Sequence, residues 1–342
     1  MLADPETSSK VVPLQITEDE AAVYDRQIRL WGLDAQQRMR NATIMVVRLK
    51  GIATEAIKNI VLAGIGKLIV VDDEVVSEED LGAGFFFRED DVGKKRVDAA
   101  KSKIDSLNPL VTVETVPSFV PLEPKNLDAT LQDIDLICVT DADRDTMIRV
   151  SDACHLQKRP FYAGGSYGLI GFIFADLSDH EYLAPDASDP KDPSKRVKKS
   201  LNYCPLKTAL KPYSWGKLNR VQTKDLNPAV VFSVLALWEF QARHGGRLPD
   251  EDECAHELGD IASALFSAAN INKRVLGSMP KDITQTLSTT AAHEFSPVCA
   301  VVGGMLAQDM LKALSAREPP IANFFVFDGN TGHGSVCRMN MP

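Results

Sequence analysis

The chain has 342 residues, 44% hydrophobic and 25% charged, with 38 Lys and Arg against 47 Asp and Glu and a formal net charge of −9. At this length a chain buries roughly three quarters of its unfolded surface, and length alone suggests about two domains. The acid excess argues against nucleic acid or an anionic membrane as main partner. The opening residues hold no apolar core of signal-peptide length, and no run reads as the ~18 apolar residues that span a bilayer, so an intracellular protein is expected.

Residues 17–40 read as one amphipathic helix. Thr17 is its N-cap, and Glu18, Asp19 and Glu20 place carboxylates where the helix dipole favours them. Thr17 and Glu20 also have capping-box spacing. On this helix Ile28, Leu30 and Trp31 are expected to face inward and the arginines outward. Residues 44–64, IMVVRLKGIATEAIKNIVLAG, have the strand–loop–helix order of a dinucleotide-type βαβ unit. In such units a glycine-rich turn lets the backbone approach a pyrophosphate and aims helix N-terminal amides at it. Here the turn reads Arg48, Leu49, Lys50, Gly51, Ile52, Ala53. Side chains at 48, 50 and 53 stand where the glycine pattern leaves space, so the fold is expected to be kept and the phosphate site lost.

A strand at 67–72 follows, then the Gly/Phe-rich GAGFFF, a helix over 94–107 ending at Asn108-Pro109, and a half-buried strand over 111–116. DIDLICVTDA reads as a buried parallel strand ending in acids, followed by a helix over 144–158 and a strand over 160–163. The fold class is therefore α/β, a doubly wound Rossmann-like sheet with ligands expected at the carboxyl ends of its strands. Residues 1–176 form this half together with the N-terminal helix. The stretch 177–200 is rich in Asp, Pro, Ser and Lys and is expected to be a mobile charged loop. Its run Lys195, Arg196, Lys198, Lys199 fits a nuclear-import address or a solvated basic patch. Residues 201–294 read as a mostly helical insert, in which Gly245 suits a C-cap. Residues 295–342 return to the α/β pattern with a helix over 296–315, a strand over 323–328, a turn at Gly329-Asn330 and a last strand near 334–339.

Six cysteines, at 138, 154, 204, 254, 299 and 337, include no CxxC pair, which leaves neither a zinc knuckle nor a disulfide framework. Cys138, Cys154 and Cys299 sit in apolar runs and are expected in the core. Cys204, in NYCPLK, stands next to a loop and is the one candidate for a reactive thiol. The six histidines show no metal-ligand spacing, and no GxSxG elbow or P-loop string is present.

The segment Tyr24-Asp25-Arg26-Gln27-Ile28-Arg29-Leu30-Trp31-Gly32 stands just before the altered loop. Together with KGIATEAIKNIVLAGIGKLIVVD, DVGKKRVDAAKSKIDSLNP and SPVCAVVGGMLAQDMLKALS…PPIANFFVFDG, in that order and spacing, it resembles the adenylation-domain (ThiF-type) family of ubiquitin-like protein activating enzymes. The resemblance covers nearly the whole chain and leans to the SUMO branch, to its smaller, non-catalytic subunit type. It implies that most of the catalytic set is missing here. The nucleotide-holding Arg-Gln pair falls on Ala83 and Gly84, and the family lysine on Arg96. The ribose-binding acid matches Asp72, with Glu74 beside it, and the magnesium-binding aspartate falls on Asp141 or Asp143.

The resemblance thus implies no nucleotide and no metal on this chain, with Arg48, Lys50, Gly51, Ala53, Ala83 and Gly84 as degenerate positions. ATP and Mg²⁺ would belong to a partner, the catalytic subunit of a heterodimeric SUMO-activating enzyme, with SUMO engaged through the complex in the nucleus and in a cytoplasmic pool. Arg26 would reach across into the partner's ATP site, with Arg29 as a weaker candidate. The alternatives are a self-sufficient homodimeric adenylyltransferase, or a nucleotide-free scaffold subunit of another activating enzyme such as that for NEDD8.

Overall fold

A computed structural model describes residues 15–186 and 196–342. Two residues shape its N-terminal segment, which is three short helices rather than one: α1 (Glu18–Val23), α2 (Asp25–Trp31) and α3 (Leu33–Arg40). Tyr24 closes α1 and opens α2, because its ring is buried over Gly64 and its hydroxyl accepts a hydrogen bond from Asn108 Nδ2 at 2.8 Å. Gly32 breaks the next junction at φ 90°, a left-handed conformation that glycine adopts without strain. The capping box forms as expected: Glu20 N–H donates to Thr17 Oγ1 at 3.2 Å and Thr17 N–H to Glu20 Oε2 at 3.0 Å. Leu30 does not face inward. It is 79% exposed, while Ile28 and Trp31 are half-buried, because the break at Tyr24 turns this face of α2 outward.

Apolar β-branched runs build the sheet. After β1 (Thr43–Val47) come α4 (Gly51–Leu62), β2 (Lys67–Val71), α5 (Asp80–Ala83), α6 (Arg96–Leu107), β3 (Thr112–Val116), α7 (Pro124–Gln132), β4 (Leu136–Thr140) and α8 (Arg144–Leu156). The chain then makes the hairpin β5 (Phe161–Tyr167) and β6 (Ile170–Asp176), which turns at Gly168 with φ 59°. The expected strand over 160–163 is thus longer, and a second one follows that its continuous apolar run concealed. With β9 (Phe324–Asp328) and β10 (His333–Cys337) still to be placed, α9 to α13 and β7 and β8 intervene, as described below. The sheet order is β10-β9-β6-β5-β4-β1-β2-β3, parallel from β5 to β3 and antiparallel at the other end.

Alternate residues of β1 enter two cores. Ile44 and Val46 pack with α4 and α6, whereas Met45 and Val47 pack with α7, α8 and the helical insert. The insert holds α9 (Leu206–Ala209), α10 (Arg220–Asp225), α11 (Pro228–Arg243), α12 (Cys254–Ala268) and α13 (Lys281–Thr290), and its core is continuous with that face of the sheet. Gly245 follows α11 in the left-handed conformation expected of a C-cap glycine.

The segment 177–200, expected as a mobile loop, contains paired strands on both sides of residues 187–195, which lie outside the described residues. β7 (Asp179–Pro185) and β8 (Arg196–Asn202) pair antiparallel from Asp179↔Asn202 to Pro185↔Arg196. Averaged composition hid the alternation by which His180, Tyr182 and Ala184 are buried on one side of β7. Of the basic run, Lys195 lies outside the described residues, and Arg196, Lys198 and Lys199 are on β8.

α14 (Ser296–Ser315) has the bounds read from the sequence. By length and composition it is apolar enough to cross a membrane, which the run-length reading missed, but half of it is buried inside the fold. It crosses α4 at Gly303, where an added Cβ would lie 2.7 Å from Glu55 Cβ and 2.8 Å from the Ile52 carbonyl. Cys138, Cys154 and Cys299 are buried as expected. Cys204 is buried too, with its thiol near the Met339 carbonyl and pushed up to about 11 by burial, which removes it as a reactive group.

Asp309 gives α14 a pH-dependent anchor. Its carboxylate accepts the Tyr162 hydroxyl at 2.8 Å and the Ile321 N–H at 2.9 Å, and burial pushes the carboxyl up to about 6. A folded carboxyl that holds its proton more tightly than the unfolded one stabilises most at acid pH and loses that contribution as pH rises from about 4 through about 6. Asp309→Asn is expected to flatten that part of the profile by about 2–3 kcal/mol, as read from urea denaturation across that pH range.

Candidate functional site

In open α/β sheets the ligand crevice lies beyond the carboxyl ends of the strands, where the strand order reverses. The order β4-β1-β2 puts that point at the end of β1. There the structure gathers Arg48 to Gly51 after β1, Asp72 to Glu74 after β2 and Asp141 after β4.

The loop after β1 is bonded to its own chain. Arg48 leaves the strand at φ 65°, and its guanidinium lies over the Phe119 ring at 5.4 Å and 3.5 Å from Glu74 Oε1. Leu49 N–H donates to Asp72 Oδ2 at 2.6 Å, and Glu74 N–H donates to Asp72 Oδ1 at 2.8 Å. The fully buried Asp72 carboxylate is therefore used on backbone amides, not offered to a ribose.

The first amide of α4 is also taken. Gly51 N–H donates to Glu294 Oε1 at 2.9 Å, at the helix N-terminus where a phosphate oxygen would accept. Glu294 arrives from the segment before α14, held by a bridge to Gly168. Burial, and then the nearby Asp141 charge, push its carboxyl up to about 7, with Lys50 opposing. An added Cβ at Gly51 would lie 2.9 Å from Cys299 Sγ and 3.0 Å from both Ala83 Cβ and Glu294 Oε1. The crowding expected from side chains at 48, 50 and 53 thus comes from elsewhere: Arg48 turns onto Phe119, Lys50 lines the cavity wall, and Ala53 is buried on the inner face of α4. Sequence reasoning missed Glu294, which lies 243 residues from Gly51 with no local pattern to mark it.

The remaining positions are equally committed. At Gly84 a Cβ would collide with Phe87 and the Asp80 carbonyl, so the packing excludes any side chain there, and Ala83 is buried against α4. Arg96 is buried, donating from Nε and Nη2 to the two Asp80 oxygens at 3.0 and 3.1 Å and from Nη1 to Glu74, and it lies 3.6 Å from Asp72. Asp143 caps α8 by accepting Thr146 N–H at 2.9 Å. Asp141 instead lies within electrostatic reach of Lys50, Arg48 and Glu294. Its Oδ1 accepts Ser166 N–H at 3.3 Å, its Oδ2 is buried without a partner, and burial raises its carboxyl against the pull of Lys50 and Arg48.

What stays open is a cavity of about 260 Å³, walled by Lys50, Glu74, Glu79, Asp80, Arg96 and Glu294 among others. Small-molecule sites usually run about 300–1,000 Å³, and this one carries more acid than base, which opposes a polyphosphate. Among the described residues no group of three His, Cys, Asp or Glu is placed to hold a metal ion.

Arg26 and Arg29 lie elsewhere, on exposed α2. Arg29 pairs with Asp25 at 3.0 Å one turn away, an exposed pair worth about 0.3–0.5 kcal/mol. Arg26 has no hydrogen bond or ion pair among the described residues. Its neighbour Gln27 donates to the Leu62 carbonyl at the far end of α4. Eleven residues of helix separate Leu62 from Gly51, about 16 Å, so Arg26 does not reach the crevice of its own chain.

Residues 24–342 match the model of the ThiF family. The chain is similar to SUMO-activating enzyme subunit 1 from Rattus norvegicus, 37% identical over 94% of this chain and 95% of that protein. It is 35% identical to the Homo sapiens protein of that name and 36% to the Danio rerio one, with the same coverage. Among solved structures, that of PaaA covers 100% of this chain and 78% of that chain with a TM-score of 0.58 at 16% identity. E. coli MccB with succinimide covers 93% of this chain and 71% of its own, with a TM-score of 0.54 at 14% identity, a likeness of fold.

Removing a partner from a buried amide costs about 1–3 kcal/mol. Glu294→Ala is expected to lose that much at pH 8, whereas Glu294→Gln, which keeps the oxygen and removes a charge beside Asp141, is expected to cost less than about 1 kcal/mol. Urea denaturation of the two variants checks the difference.

Proposed function

The chain belongs to the ThiF family, and from that premise we propose that it is the smaller, non-catalytic subunit of a heterodimeric SUMO-activating enzyme, acting in the nucleus and in a cytoplasmic pool. The observation that carries the reading is the occupied crevice: the α4 amide, Asp72 and Arg96 are all bound to residues of the same chain. A homodimeric adenylyltransferase needs that crevice open, so this second reading is disfavoured. The near full-length likeness to proteins named SUMO-activating enzyme subunit 1 supplies the branch.

On this reading the subunit contributes an adenylation fold as a pairing surface and one cation. The C-terminal carboxylate of SUMO attacks the α-phosphorus of ATP bound, with Mg²⁺, on the catalytic subunit, giving an acyl-adenylate and pyrophosphate. Negative charge builds on the departing phosphates. Arg26 stands exposed at the end of α4 remote from its own crevice, free to enter another subunit. A guanidinium there donates bidentate hydrogen bonds at full charge at any working pH. Arg29 is already paired with Asp25 and serves that helix.

The test is SUMO-dependent ATP–pyrophosphate exchange with the purified catalytic subunit. Arg26→Ala is expected to lower exchange about 10³-fold or more while the complex still assembles, as for other arginine fingers, and Arg26→Lys to restore a part of it. Unchanged exchange with Arg26→Ala would reduce the chain to a scaffold.

A further inference from the structure

Two cavities flank the outer face of α14. One, of about 300 Å³, opens between Leu30, Trp31 and Leu311 and carries Arg196 and Arg317. The other, of about 440 Å³, lies beside the β7–β8 hairpin over Met305, Pro320 and Val336 and carries Arg338. Gln308 and Lys312 line both, so the two are parts of one groove along the helix. Its floor is apolar: Leu30, Met305 and Val336 are all exposed. Its rim holds four cations, Arg196, Lys312, Arg317 and Arg338. Against them stand two exposed acids, Glu318, 3.3 Å from Lys312, and Asp34, 3.7 Å from Arg317, since Asp309 is turned inward to Tyr162 and Ile321.

An excess of two positive charges over an apolar floor fits an extended acidic chain with hydrophobic side chains, and its position selects the owner. Arg26 and Leu30 are four residues apart, on one face of α2, so a body that takes up Arg26 lies against Leu30, where the groove opens. We propose that the groove receives an acidic, extended segment of the catalytic subunit, anchored by one apolar side chain against Leu30 and Trp31 and another against Met305 and Val336. This rests on the heterodimer reading above. The cations steer the two subunits together, and the apolar anchors slow their separation.

The test uses the full-length chain and the purified catalytic subunit, with association and dissociation followed at low and high salt. The double variant Arg196→Glu/Arg338→Glu changes two exposed side chains. It is expected to weaken assembly at least tenfold at low salt, chiefly through slower association, with the difference shrinking as salt screens the groove. Leu30→Asp is expected to weaken assembly at both salt concentrations through faster dissociation. Affinities within twofold of wild type for both variants, with melting temperature unchanged, would overturn the proposal. So would normal assembly with tenfold weaker binding of SUMO to the complex, which would assign the groove to the modifier. Failure of the heterodimer reading registers separately, as a wild-type chain that forms no complex with the catalytic subunit at either salt concentration.

Discussion

An α-helix that follows a β-strand presents unpaired N–H groups that must find an acceptor. In a nucleotide-binding βαβ unit the acceptor is a phosphate, whereas here it is Glu294, bonded to the Gly51 amide at 2.9 Å, with Asp72 taking the Leu49 amide just before it. Much else follows from this constraint. Glu294 stands two residues before α14, so the contact fixes where that helix begins and lays it across α4, with Cys299 against Gly51 and Gly303 against Glu55 and Ile52. It also leaves a small, acid-rich cavity where a ligand crevice belongs, with Arg96 bound to Asp80 and Glu74.

The molecule therefore has two unlike ends. At the N-terminal end of α4 the side chains of Asp72, Glu74 and Arg96 and the Gly51 amide are bonded within the chain, whereas one Asp141 oxygen is buried without a partner. At the C-terminal end, about 16 Å along the helix, Tyr24 pins α2 to the surface and holds Arg26 and Leu30 outward. The first end is closed in cis and the second is open to a partner, and this polarity makes an accessory role physically coherent.

Elements whose pattern is local and strong could be read from the sequence. The α14 bounds, the buried β4, the β1-α4-β2 unit and the Thr17–Glu20 capping box rest on apolar periodicity and cap chemistry within a few residues. What escaped depended on distant partners. Tyr24 breaks the N-terminal helix because of a pocket made by Gly64 and Asn108, and the buried side of β7 is visible only residue by residue within a charged, proline-rich stretch. The site divides in the same way. The loss of the glycine-rich turn was legible, and Asp72, Glu74 and Asp141 do converge at the end of β1. The group that fills the crevice was not, because a single glutamate between two helices carries no spacing signal. Asp143, equivalent to Asp141 on sequence, is separated from it only by the cap it makes with Thr146.

The central claim is that the nucleotide crevice of this chain is closed from within. Equilibrium titration of the isolated full-length chain with ATP and Mg²⁺, followed by calorimetry, tests it most directly. No saturable binding is expected up to millimolar nucleotide. Binding in the micromolar range would show that Glu294 and Asp72 yield to a nucleotide, and would contradict the account.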